Sequence, residues 1–104
     1  MANNWNIPTW LEKEVRERDT VCVYCGGEFT LAKISKISAP SWEHIINDAK
    51  IITRENIALC CCGCNASKGQ KQLSIWLQSQ YCKEREITPD SVALVVKQAI
   101  EARQ

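Results

Sequence analysis

Charge of one sign is missing from this chain as a whole. Thirteen basic and twelve acidic residues leave a net charge of +1 over 104 residues, which argues neither for nor against a polyanionic partner. Long apolar runs are missing too: nothing approaches the roughly 20 residues that a membrane-spanning helix needs, so no membrane partner is expected. The opening Met-Ala-Asn-Asn has neither a basic n-region nor an apolar h-region, and no leader is expected there. Internal repeats and low-complexity segments are absent. Histidine is nearly absent, with His44 the single instance, so any imidazole chemistry rests on one residue. The length fits one domain over residues 1–104. Its core is small enough that a metal or disulfides would help to hold it. Cysteine, by contrast, is plentiful, with seven in the chain. Without a secretion signal, these point to a reducing compartment such as the cytoplasm, where thiols stay free or hold metal.

Local charge is less even than the total. Residues 31–83 carry seven basic side chains (Lys33, Lys36, Lys50, Arg54, Lys68, Lys71 and Lys83) against Glu43, Asp48 and Glu55, a local +4. A basic middle is a weak footprint for nucleic acid.

The patterning predicts an α+β chain. Pro8 opens a short helix over 8–18, with Trp10, Leu11 and Val15 on its apolar side and Asp19 and Thr20 ending it. Phe29 and Leu31 are placed at the start of a strand, and residues 32–41 read as a basic loop. Runs 42–46 and 51–59 are strand-like, and the turn residues of 47–50 join them into a β-hairpin. A helix is expected from Asn65 over 66–81, burying Leu73, Trp76, Leu77 and Tyr81. Thr88-Pro89-Asp90 reads as the cap of a last helix over 89–102, whose buried stripe is Val92, Val95, Val96, Ala99 and Ile100.

Two Cys-x-x-Cys pairs, Cys22/Cys25 and Cys61/Cys64, each lie beside or around glycine. Four thiolates close a tetrahedral Zn²⁺ site and leave no open position, which makes the metal structural. The competing readings are a disulfide pair or free core thiols. Three cysteines run together at 60–62, so Cys60 or Cys62 competes with Cys61 for the site. Cys61 is preferred because it repeats the spacing of the first pair. Cys60, Cys62 and Cys82 are then small core residues.

His44 is a candidate general base, because imidazole titrates near neutral pH. Glu43 and Asn65 offer oxygen, which suits Mg²⁺ or another hard divalent ion. Taken singly, each has a plainer reading: His44 a satisfied polar residue, Glu43 a solvated strand residue, Asn65 an N-cap, Asn56 a turn residue. Residues 43 and 44 also point to opposite faces of a flat strand, so they share a site only at a twist, a bulge or a strand end.

Cys-Val-Tyr-Cys-Gly, Trp-Glu-His-Ile-Ile, Glu-Asn-Ile-Ala-Leu and Cys-Cys-Gly-Cys-Asn-Ala-Ser-Lys-Gly, in that order, resemble the HNH endonuclease family over residues 21–77. The resemblance implies a small ββα-metal fold, with a core over 21–81 and zinc knuckles flanking the hairpin. It implies that Glu43 and Asn65 ligate a catalytic ion and that His44 activates water. Asn56 would brace the hairpin, and Cys22, Cys25, Cys61 and Cys64 would hold structural zinc. The third signature position is Asn rather than His, and the acid is Glu rather than Asp. The implied reaction is metal-dependent DNA hydrolysis, leaving 5′-phosphate and 3′-hydroxyl ends. Lys68 is a candidate phosphate contact or a solvated lysine. Arg54, Lys71, Lys33 and Lys36 are weaker candidates for backbone contacts. A zinc-stabilised nucleic-acid-binding module without catalysis is the alternative, and a protein-interaction zinc domain the third reading. A monomer would nick one strand and a homodimer would cut both; the residues leave this open.

Overall fold

The computed structural model describes residues 6–102. Residues 1–5 and 103–104 lie outside it, and with them the opening segment read above for a leader. Among the described residues the order is α1 (Thr9–Arg18), β1 (Pro40–His44), β2 (Ile57–Cys61), α2 (Cys62–Lys68), α3 (Leu73–Trp76), α4 (Gln80–Glu84) and α5 (Leu94–Ala102). The expected α+β class is observed. None of these helices is long and apolar enough to cross a membrane.

The sheet is one antiparallel pair, with Pro40 opposite Cys61 and His44 opposite Ile57. Every residue of β2 is buried. Its unbroken run Ile-Ala-Leu-Cys-Cys is what a strand covered on both faces requires. Ala58 and Cys60 belong to a core with Tyr24, Ile45, Trp76 and Val96, while Ile57 and Leu59 pack with Leu11 and Val15 of α1. Asp19, which ends α1, is buried; its Oδ2 accepts the Leu59 amide at 3.0 Å, and the Arg18 guanidinium grips both its oxygens at 2.7 and 2.8 Å. This clasp seats α1 against β2.

Several expected boundaries move. β1 starts two residues earlier than predicted, at Pro40, and residues 45–56 form a broad connection rather than a tight turn with a long second strand. Phe29 and Leu31 do not start a strand: only a single bridge joins Val21 and Glu28, and Leu31 is exposed. Trp10 is exposed rather than core, because Leu11 and Val15 already fill the contact between α1 and β2. The helix expected over 66–81 begins at Cys62 instead, capped by the Cys61 sulfur, and breaks into three. Gly69, at φ +50°, takes a conformation that side chains disfavour and turns the chain after Lys68. The last helix starts at Leu94, not at 89. Thr88 Oγ1 accepts the Asp90 and Ser91 amides at 3.2 and 3.1 Å, closing a local turn in place of the first helical turn. Its apolar stripe is in register, with Val95, Val96 and Ala99 buried and Ile100 half-buried.

Candidate metal centre and hydrolytic site

Both Cys-x-x-Cys turns fold so that backbone amides point at sulfur. The Cys25 amide donates to Cys22 Sγ at 3.5 Å, Gly27 to Cys25 Sγ at 3.4 Å and Cys64 to Cys61 Sγ at 3.4 Å. The four sulfurs lie within 4.8 Å of one another. Cys25 and Cys61 are 3.8 Å apart, and all seven cysteines are free of disulfides. Tetrahedral Zn–S bonds of about 2.3 Å give sulfur–sulfur edges of about 3.8 Å, so the group can hold a structural zinc. Without an ion the group shares its protons unevenly: a hydrogen bond from the Cys64 thiol draws the Cys22 pKa down to about 5, while burial lifts Cys25 to about 11 and the bond to Cys22 pushes Cys64 up. Cys61, not Cys60 or Cys62, joins the group. Cys60 and Cys82 are fully buried as expected, whereas Cys62 is only half-buried, because the first turn of α2 leaves its side chain at the surface.

Glu43 and His44 close β1, and both are buried, at 6% and 8% exposure. Neighbours across an antiparallel ladder share a face. Glu43 therefore lies with Ala58 in the larger core and His44 with Ile57 on the other side, His44 being the last residue of the strand. The Glu43 Oε2 atom accepts the Tyr24 hydroxyl at 2.6 Å and sits 3.0 Å from Lys68 Nζ. Lys68 Nζ also donates to the His44 carbonyl at 3.3 Å. Burial raises the Glu43 pKa, against the opposing pull of Lys68 and Tyr24. Burial lowers that of His44, and Lys68 adds to the effect, so the ring is neutral at neutral pH.

The Lys68 reading needs correction. It is neither solvated nor at the surface: at 1% exposure its ammonium lies inside the core against Glu43 and the β1 backbone. Sequence offered no sign of this, because a lysine one turn beyond Asn65 has the same pattern whether it points out or back across α2. Tyr24 likewise gave no signal; only packing places its hydroxyl on Glu43.

Asn65 lies in α2 and donates its amide to Ser41 Oγ at 2.6 Å and to the Trp42 carbonyl at 3.1 Å, tying the helix to the start of β1. Asn56 sits at the base of the 45–56 connection. Its Oδ1 accepts the Ile46 amide at 2.7 Å, and its Nδ2 donates to the carbonyls of Ile46 at 3.2 Å and Ile51 at 3.1 Å. Of the remaining basic candidates, Arg54 pairs with Glu14 at 3.1 Å at the surface, and Lys71 is exposed with Nζ on the Ser67 carbonyl. Lys33 and Lys36 are exposed on the loop before β1. A cleft of about 810 Å³ opens beside this region, lined by Ile46, Asn47, Gln70, Leu73, Leu77 and Ile100 among others. Glu43, His44, Asn56 and Asn65 do not line it.

No family model matches the chain, and no solved structure matches it. Among curated proteins, the CRISPR-associated endonuclease Cas9 of Corynebacterium diphtheriae is 32% identical over 73 residues, a match that covers 67% of this chain and 6% of that protein. The chain is thus similar to a small part of a much longer endonuclease.

Proposed function

We propose that this chain is an HNH-type nuclease domain that hydrolyses DNA phosphodiester bonds. The observation that carries the reading is that Glu43 and His44, consecutive and both buried, end a hairpin strand whose Ser41 and Trp42 are bonded by Asn65 to a helix that begins at the cysteine cluster. The partial likeness to an endonuclease supports it. The strand pair, the helix after it and a four-cysteine group able to hold structural zinc support a ββα-metal reading.

In this reading His44 is the general base. Its neutral ring takes a proton from water, and the attack leaves 5′-phosphate and 3′-hydroxyl ends. The carboxylate of Glu43 and the amide oxygen of Asn65 suit a hard divalent ion such as Mg²⁺. When bound, that ion would supply charge stabilisation at the phosphate and the leaving oxygen. Lys68 competes with it for Glu43. Asn56 fixes the backbone that follows His44. Arg54 and Lys71 supply phosphate contacts from the surface.

The test is nicking of supercoiled plasmid with Mg²⁺, Mn²⁺ or EDTA, comparing the native chain with His44→Ala. Metal-dependent nicking that disappears in the variant supports the reading. Cleavage that survives in the variant removes His44 from the mechanism. One observation favours a second reading, a zinc-stabilised nucleic-acid-binding module: Lys68 already neutralises the carboxylate that a catalytic ion would need. A zinc-loaded chain that binds DNA but never cuts it would decide for that reading.

A further inference from the structure

The segment between Glu28 and β1 carries a surface that none of the site residues uses. Leu31, Ile34 and Ile37 are 61%, 71% and 71% exposed, three of the large apolar side chains left in solvent. Exposed apolar clusters of this kind mark contact surfaces more often than accident. Lys33 and Lys36 interleave with them, both exposed, and no acidic residue occurs between Glu28 and Glu43.

The loop is also held in shape. Its neck is closed by the Thr30 amide on the Ser38 carbonyl at 3.1 Å and by Thr30 Oγ1 on the Ser35 carbonyl at 3.1 Å. Its tip is a single turn, with the amides of Ile34 and Ser35 on the Leu31 carbonyl at 2.9 and 3.0 Å. Its base is bonded to the start of α2: the Cys62 amide donates to the Ala39 carbonyl and the Gly63 amide to the Ile37 carbonyl, each at 2.9 Å. Ile37 sits so close to Gly63 that a Cβ there would meet its Cγ2 at 2.9 Å. The result is a preformed knob on the helix that carries Asn65, two residues from the nearest of these bonds.

We propose that residues 30–38 form a DNA wedge: Leu31 and Ile34 insert between base steps from the minor groove, and Lys33 and Lys36 hold the flanking phosphates. This rests on the nuclease reading and adds the element that grips and opens the duplex beside the site. A groove about 6 Å wide admits single aliphatic side chains from such a tip but no whole element. Aliphatic wedges flanked by cations are the physical means of unstacking a step while holding its backbone. Two lysines between the apolar residues, with no acidic residue from 29 to 42, favour a polyanion over an uncharged apolar partner.

The experiment measures binding of the full zinc-loaded chain to a duplex carrying 2-aminopurine, in EDTA-free buffer with Ca²⁺, across a salt series. Native chain should raise the fluorescence as the step unstacks. Leu31→Ser/Ile34→Ser should remove that rise and weaken binding about a hundredfold or more, the order expected when two aliphatic side chains lose their burial, with the salt slope unchanged. Ile34→Phe, which keeps an apolar tip, should retain the rise. Lys33→Gln/Lys36→Gln should flatten the log–log salt slope by about 2. If the native chain binds and nicks DNA while the serine variant matches it in signal and affinity, the wedge falls and the nuclease reading stands. If the native chain binds no duplex, both fall. Capture of the native chain on phosphatidylserine vesicles, lost in the serine variant with DNA binding untouched, would overturn the wedge in favour of a lipid surface.

Discussion

Lys68 Nζ lies 3.0 Å from Glu43 Oε2, with the two side chains 1% and 6% exposed. A charged pair has been folded into the core of a small domain, beside the Tyr24 hydroxyl and the His44 carbonyl. Desolvating two charges costs several kcal/mol, and their attraction offsets it only while both are present. Lys68→Met should therefore destabilise the chain by about 3–5 kcal/mol, since it strands a buried carboxylate. Lys68→Met with Glu43→Gln should recover much of that loss. Urea denaturation of the two variants checks this; equal loss in both would mean that packing of the lysine stem, not charge, holds the site.

The four-cysteine group predicts one zinc per chain by elemental analysis. Cys25→Ser and Cys64→Ser should lose the metal, and a strong chelator should lower the melting temperature of the native chain. Cys82→Ala and Cys60→Ala should keep it, at the smaller cost of a core truncation. Zinc retained by Cys64→Ser would transfer the ligand role to another thiol.

Asn56 makes three hydrogen bonds to the backbone of the 45–56 connection. Asn56→Ala leaves those groups unpaired, and at about 1 kcal/mol per bond should cost about 2–4 kcal/mol. Plasmid nicking should fall with it, because the backbone after His44 loses its brace. Asn56→Asp keeps the acceptor for the Ile46 amide but turns a carboxylate oxygen on the Ile46 and Ile51 carbonyls, and should not recover that loss. A native-like denaturation midpoint for the alanine variant would show that water replaces the side chain.

His44 has its pKa lowered from 6.5, first by burial and then by Lys68. Below pH 6.5 the unfolded chain takes up a proton that the folded chain refuses. The stability that His44 contributes is thus complete above that pH and is lost as pH falls through the lower folded value. Glu43 runs the other way: its raised pKa favours folding below 4.5, and that contribution is lost as pH rises through the folded value. With one histidine in the chain, its ring resonances titrate in isolation, and their midpoint in the metal-free protein should lie below 6.5. A midpoint at or above 6.5 would show a solvated ring. Nicking should lose rate through the same midpoint as the base protonates.

Much of the fold is legible where local pattern and long-range packing agree. Leu11 and Val15 are core, the two strands pair, and the apolar stripe of α5 is in register. Element ends moved wherever a side chain or a glycine outbid the periodic pattern. The Cys61 sulfur caps α2 four residues before Asn65, Gly69 stops it, and Thr88 closes a turn that Pro89 alone would have started as a helix.

Cysteine spacing by itself favoured Cys22, Cys25, Cys61 and Cys64 as the group, and the fold decided between Cys61 and its neighbours Cys60 and Cys62 by bringing those four sulfurs together. Adjacency by itself put Glu43 and His44 on one strand. What Glu43 touches was decided only in three dimensions. The chain separates Tyr24, Glu43 and Lys68 by 19 and 25 positions, and nothing local marks a lysine that folds back across its helix. Whether an ammonium lies in water or against a buried carboxylate depends on which surfaces pack around it. That is a property of the assembled core, and no window of sequence contains it.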